Sequence, residues 1–238
     1  MLKKWLPYLI FFVLLLTAYF VFVFTQTDIN KSSLAVINDK VQPFSFVNQD
    51  GKTITDRDVE GKVMLAEYFF TTCKGICPKM NANMRRVFDE FKNDSNFIIL
   101  SHTCMPETDS VPLLKAYEQK MLYGNLMKGD DGSYKIEYDS TKKTPIAIDN
   151  KNWMFLTGKK SELYDLARHS YMIDFSKMDS TAKIDDQFIH TQFFALLDKK
   201  TRVRGIYDGL KEDEIQKLLK DIRALQKESF QNRSLKGY

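Results

Sequence analysis

Thr71-Thr72-Cys73-Lys74-Gly75-Ile76-Cys77-Pro78, T-T-C-K-G-I-C-P, places two thiols four residues apart where a strand hands over to a helix. Upstream, Val63 to Phe70 (V-M-L-A-E-Y-F-F) is an apolar, aromatic-rich run of strand length. Downstream, Met84, Val87, Phe88 and Phe91 fall at i, i+3, i+4 and i+7, the stripe of an amphipathic helix packed on a sheet. Pro78 suits a first helical turn, where its missing N–H leaves nothing unpaired. Cys73 and Cys77 therefore flank a helix start. The unpaired N–H groups and positive dipole end there are expected to stabilise a thiolate, the form that attacks disulfides and binds metal. Core filling or a structural disulfide is the plainer use of cysteine. But the chain has only three cysteines and spends two on one turn, which points to chemistry.

Working outward, Phe44, Phe46 and Ile54 flank Asn48-Gln49-Asp50-Gly51, and Asp-Gly between alternating apolar residues signals a hairpin. Phe97 to Leu100 is a second buried strand, ending in Ser101-His102-Thr103-Cys104-Met105-Pro106. Ser110 and Pro112 open a helix carrying Leu114, Tyr117 and Met121 on one face. Strand, helix, strand, helix implies a parallel core in an α/β layer fold. Gly124 to Ile148 interrupts the rhythm and reads as an inserted surface hairpin or loop. Trp153 to Leu156 resumes the core, and Ser161 caps a helix bearing Leu163, Leu166 and Ala167. A polar loop, Tyr171 to Asp186, leads to Phe188-Ile189-His190, then to strands Gln192–Leu197 and Val203–Tyr207. A helix marked by Ile215, Leu218, Leu219, Ile222 and Leu225 closes the pattern.

Trp5 to Thr25 carries no charge and follows Lys3 and Lys4. A spanning helix needs about 20 apolar residues and a signal peptide about 7–15. No small-x-small cleavage site ends the run, so an uncleaved anchor is expected. Lysines before it and none just after it place the N-terminus in the cytoplasm. Four residues before the anchor leave no room for an organelle import sequence, and the expected location is a bacterial inner membrane with the remaining chain in the periplasm. Without Lys3 and Lys4 the chain has 33 basic against 31 acidic residues, with no basic-aromatic patch, and no nucleic-acid partner is expected on that ground.

Two thiolates need a third partner, and three histidines are available. His169 lies in or just after a helix, where a surface role is usual. His102 follows a core strand and could approach the motif. His190 ends a loop and begins a strand, where α/β proteins often offer functional side chains. The residues alone leave this choice open.

Four blocks resemble the Sco/SenC family, named for synthesis of cytochrome c oxidase: F-F-T-T-C-K-G-I-C-P at 69–78, M-P-E-T-D-S-V at 105–111, W-M-F-L-T-G at 153–158, and F-I-H-T-Q-F-F-A-L-L-D at 188–198. The hairpin P-F-S-F-V-N-Q-D-G-K at 43–52 fits as well. The resemblance covers the chain from about Pro43 to Asp208. It implies a thioredoxin-like α/β fold with an N-terminal β-hairpin, preceded by one transmembrane helix. It divides the chain into an anchor (1–25), a tether (26–40), a thioredoxin-like domain (41–228) with an inserted loop (124–148), and a tail (229–238). It implies that Cys73, Cys77 and His190 bind copper, as Cu(I) or Cu(II). Two soft thiolates and one imidazole suit that metal, whereas a structural zinc site would want a fourth ligand.

The implied function is a metallochaperone delivering copper to the copper-receiving subunit of cytochrome c oxidase, served by a periplasmic copper donor or thiol reductant. The second reading is a membrane-anchored thiol–disulfide oxidoreductase, with Cys73 attacking and Cys77 resolving, that reduces a partner's copper-site cysteines. The three-residue spacer and the downstream histidine favour copper. A peroxidase would need one activated cysteine with its own supporting residues, and none is singled out. The family usually shows Val-Asp-Pro-Glu where this chain has Cys104-Met105-Pro106-Glu107. Neutral drift explains the exchange; the sharper alternative makes Cys104 or Met105 a transient soft ligand.

Overall fold

Alternation along the apolar strands builds the fold, because successive side chains point to opposite faces and both faces here are covered. The computed structural model describes residues 2–26, 34–139, 141, 150–174 and 191–228. In chain order the elements are α1 (Leu2–Gln26), β1 (Ser45–Asn48), β2 (Thr53–Thr55), α2 (Asp56–Val59), β3 (Val63–Phe69), α3 (Cys77–Phe91), β4 (Phe97–Thr103) and α4 (Val111–Tyr123). Then follow β5 (Asn125–Lys128), β6 (Tyr134–Glu137), β7 (Trp153–Thr157), α5 (Lys160–Asp165), β8 (Phe193–Leu197), β9 (Val203–Asp208) and α6 (Glu212–Lys227).

Seven strands form one mixed sheet in the order β2-β1-β7-β4-β3-β8-β9. Its centre is parallel, β3 with β4 and β4 with β7, while β1 and β8 join antiparallel. Val63, Leu65 and Phe69 of β3 face a core shared with Met84, Val87, Phe88 and Phe91 of α3 and with the apolar stripe of α6. Met64, Ala66 and Tyr68 face a second core with Phe44, Phe46, Leu163, Tyr164 and Tyr171. Every residue of β3 and of β4 is buried, which is why neither strand shows an alternating sequence.

The parallel pairing brings the C-terminal ends of β3 and β4 to one edge, with Phe69 opposite Thr103. Strand β8 runs the other way, and its register, Ala66 with Ala195 and Met64 with Leu197, sets its beginning beside the end of β3. Three connections therefore meet at one end of the sheet: the thiol loop, the segment after Thr103, and the chain entering β8. Such an edge is where open α/β sheets carry their ligands.

The expected hairpin is β1–β2, closed through Asn48 with Gly51 at φ +74°. The insertion forms a second hairpin, β5–β6. Lys159, not Ser161, occupies the N-cap of α5, which runs on into a π turn, Leu166–Ser170. Residues 34–40 lie against the domain: the Ile37 and Asn38 N–H groups donate to the Val203 carbonyl, the Val203 N–H donates to the Asn38 carbonyl, and the Leu34 carbonyl accepts from Arg204 at 2.6 Å. In α1, Trp5–Phe22 has mean hydropathy 2.2 and is long and apolar enough to cross a membrane.

Candidate metal centre

Helix α3 begins at Cys77, with Pro78 in its first turn. Cys73 sits four residues earlier in the loop, half-buried, its N–H donating to the Phe70 carbonyl at 3.2 Å. Both are free thiols, and Cys77 is buried. The expectation that the helix start favours a thiolate fails at Cys77. Burial pushes its thiol well above the ordinary range, and a hydrogen bond to Cys73 keeps the proton in place, adding to that rise. At this depth desolvation outweighs the helix dipole, which is worth about 0.3–1 kcal/mol at exposed sites.

The two cysteines wall a cleft of about 270 Å³ together with Tyr68, Phe70, Ile76, Cys104 and Thr191. Thr191 belongs to the site through the reversed direction of β8. Its hydroxyl donates to the Ile173 carbonyl at 2.6 Å, so the described chain on either side of residues 175–190 is tied together at the cleft. His190 lies outside the described residues; its neighbour Thr191 is a cleft residue.

The other two histidines are elsewhere. His102 is inside β4 and faces the second core, between Phe46, Tyr68 and Tyr171, with Nε2 3.1 Å from the Tyr171 hydroxyl. Its ring is closed in among those aromatics and is not part of the cleft wall, correcting the expectation that it approaches the motif. His169 is in the π turn with Nδ1 2.7 Å from Asp165. Cys104 does reach the cleft wall, but its Sγ donates to the Phe69 carbonyl at 3.3 Å. Met105 packs at the margin of the second core. Among the described residues no three of His, Cys, Asp and Glu are grouped closely enough to hold a metal ion.

Two acids near the site were not singled out from the sequence. Glu67 hides within the apolar β3 run; it is fully buried and accepts from Ser101 Oγ at 2.6 Å. With the Asn81 amide oriented to accept from Tyr117, its nitrogen lies 3.2 and 3.3 Å from the two Glu67 oxygens. Burial lifts the Glu67 carboxyl to about 8, and its charged form helps hold the Cys77 thiol protonated. Asp109, also buried, bonds Thr71 and Thr103. A charged residue inside an otherwise apolar strand was the available signal for Glu67.

The fold and the paired thiols at the β3–α3 turn define a thioredoxin-like dithiol domain. The SCO1/SenC family model matches residues 34–127 and 143–227. The chain belongs to the SCO1/SenC family. It is 28% identical over 211 residues to the SCO1 protein homolog of Bacillus subtilis strain 168, covering 88% of this chain and 94% of that protein. A solved structure of BsSco, reported for a disulfide switch in a member of the Sco family of cytochrome c oxidase assembly proteins, is 28% identical at a TM-score of 0.58 and covers 81% of this chain and 96% of its own. The structure of Arabidopsis thaliana ScoI with copper bound shares the fold at 21% identity and a TM-score of 0.52, over 76% of this chain and 97% of that one.

Proposed function

We propose that this protein is a copper carrier for the assembly of cytochrome c oxidase, binding one copper ion through Cys73, Cys77 and His190. The observation that carries the reading is the convergence of both thiols and Thr191 on one cleft. The donor set fits the cargo. Two thiols in contact across a helix start supply soft ligands, and an imidazole from the residue before Thr191 supplies a third. Low coordination leaves room for an incoming ligand from a donor or recipient, so the ion can pass by exchange. The thiol protons leave as copper binds, and Cys77 keeps its proton until a metal or a partner disulfide replaces it.

Copper-bound ScoI from Arabidopsis and the oxidase-assembly role ascribed to BsSco support the cargo and the destination. In this reading α1 anchors the chain in a bacterial inner membrane, with Lys3 and Lys4 on the cytoplasmic side and the domain in the periplasm. The recipient is the copper-receiving oxidase subunit, and a periplasmic donor or thiol reductant acts upstream.

The deciding experiment is Cu(I) stoichiometry and affinity of the reduced full chain in detergent micelles, by competition with a chromophoric chelator, beside Cys77→Ser and His190→Ala. One tightly held copper, weakened strongly in both variants, is expected. Full retention by Cys77→Ser would sink the ligand assignment. Weak binding indifferent to His190 would put thiol–disulfide exchange first, a reading favoured by the Cys73–Cys77 contact and by the disulfide switch of BsSco.

A further inference from the structure

We propose that Asp109 is the positioning residue of the dithiol, holding Cys73 against Cys77 through Thr71 without touching either sulfur. The inference rests on the reading that the two cysteines act as a pair.

Asp109 is fully buried, and N–H and O–H donors surround its carboxylate. The Thr71 N–H donates to Oδ2 at 3.2 Å and the Thr71 hydroxyl to Oδ1 at 2.5 Å. The Thr103 hydroxyl donates to Oδ2 at 2.5 Å and itself accepts from the Met105 N–H at 3.0 Å. The Asp109 N–H donates to the Met105 carbonyl at 2.9 Å, and the Cys104 N–H to the Phe69 carbonyl at 2.9 Å. One carboxylate thus ties the start of the thiol loop, two residues before Cys73, to the end of the neighbouring parallel strand.

Besides the thiol contact, the bonds to Asp109 are the ones that join residues 71–75 to another element, among the described residues. Gly75 has no neighbour within 4 Å of where a Cβ would sit, among the described residues, and imposes no rigidity of its own. The loop's geometry is therefore set from the Asp109 side. Charge-assisted bonds to a buried carboxylate are about twice as strong as neutral ones and are suited to hold a loop in one place. Loosening Thr71 lowers the effective concentration of one thiol at the other, which weakens a disulfide and a two-thiol chelate alike.

The test uses closure of the dithiol without copper, so that its failure is separate from failure of the copper reading. The full chain in detergent micelles is equilibrated with oxidised and reduced dithiothreitol. Cys73 and Cys77 lose two electrons and two protons as their S–S bond forms, and the reagent's disulfide takes them up to become its dithiol. Acid quenching, alkylation and mass spectrometry give the equilibrium constant. Asp109→Asn is expected to lower it about tenfold, equivalent to about 30 mV for a two-electron couple. Thr71→Val, which leaves the carboxylate in place, is expected to lower it about threefold.

Constants within twofold of the parent in both variants, with only the melting temperature reduced, would overturn the proposal and leave Asp109 a purely structural bracket. Should Asp109→Asn fail to fold, Thr71→Val decides alone: a lowered constant supports the proposal and an unchanged one overturns it.

Discussion

Thr191 Oγ1 donates to the Ile173 carbonyl at 2.6 Å, joining the chain before residue 175 to the chain after residue 190 at the wall of the dithiol cleft. The bond matters because His190 is the next residue back from Thr191. Thr191→Val keeps the shape and removes the donor, leaving a buried carbonyl unpaired, which costs about 1–3 kcal/mol of stability. If the clamp aims His190 at the thiols, Cu(I) affinity by chelator competition falls about tenfold in Thr191→Val. An affinity equal to the parent's would show that His190 needs no help from this bond.

Cys104 shares the cleft but is expected to stay out of the metal's coordination. Its sulfur is buried and already donates to Phe69, and it forms no metal-holding group with the other cysteines among the described residues. Cys104→Ala and Met105→Leu should each leave Cu(I) affinity within about threefold, less than the 1.4 kcal/mol that a tenfold change represents. A tenfold loss in either variant, or a change in the sulfur count seen by X-ray absorption of the copper-loaded protein, would restore the soft-ligand alternative.

The strand–thiol–helix unit was legible because three local signals coincide at Cys73–Pro78: a strand-length apolar run, a proline suited to a first turn, and a helical stripe beyond it. The parallel centre followed from the alternation of strands and helices. What the sequence left open depends on pairing across long separations. Nothing local reveals that β8 lies antiparallel beside β3, and this is what makes Thr191 a cleft residue. His102 illustrates the other failure: Tyr68 and Cys104 on the same face of the sheet reach the cleft wall, whereas the His102 ring is closed in by Phe46, Tyr68 and Tyr171, an enclosure decided by tertiary packing and by no local pattern. Asp109 lies within the M-P-E-T-D-S-V block, but its partners Thr71 and Thr103 come from two other segments, so no local pattern reveals the bracket it forms.

Glu67 should make stability fall as pH rises. Its carboxyl is raised from 4.5 to about 8 in the folded protein because the charged form is desolvated. Between those values the folded state holds a proton that the unfolded state has lost. Stability is therefore fully present below about 4.5 and is lost as pH climbs to about 8, at up to about 1.4 kcal/mol per pH unit. Glu67→Gln keeps the Ser101 partner and cannot ionise. Denaturant unfolding from pH 6.5 to 8 should show a declining stability for the parent and a flatter one for the variant. A parent with no decline in that window would mean that Glu67 is stabilised as an anion.

His102 should act in the opposite sense on the acid side. Burial lowers its imidazole from 6.5 to about 3, and Nδ1 has no hydrogen-bond partner among the described residues, so the folded state keeps the ring neutral. Between about 6.5 and 3 the unfolded chain binds a proton that the folded one refuses. Stability is lost there as pH falls, again by up to about 1.4 kcal/mol per unit. From about pH 4.5 to 6.5 the two buried groups oppose each other, and the parent should show a near-plateau. His102→Phe fits a site already lined by Phe44, Phe46, Tyr68 and Tyr171, and removes an orphaned polar atom while losing the contact to Tyr171. The plateau should then tilt, with stability rising as pH falls from 6.5 to 4.5, because Glu67 acts unopposed. In Glu67→Gln it should tilt the other way. Opposite slopes in the two variants would establish that both groups are buried in their neutral forms; a plateau that survives His102→Phe would show that His102 does not titrate against folding.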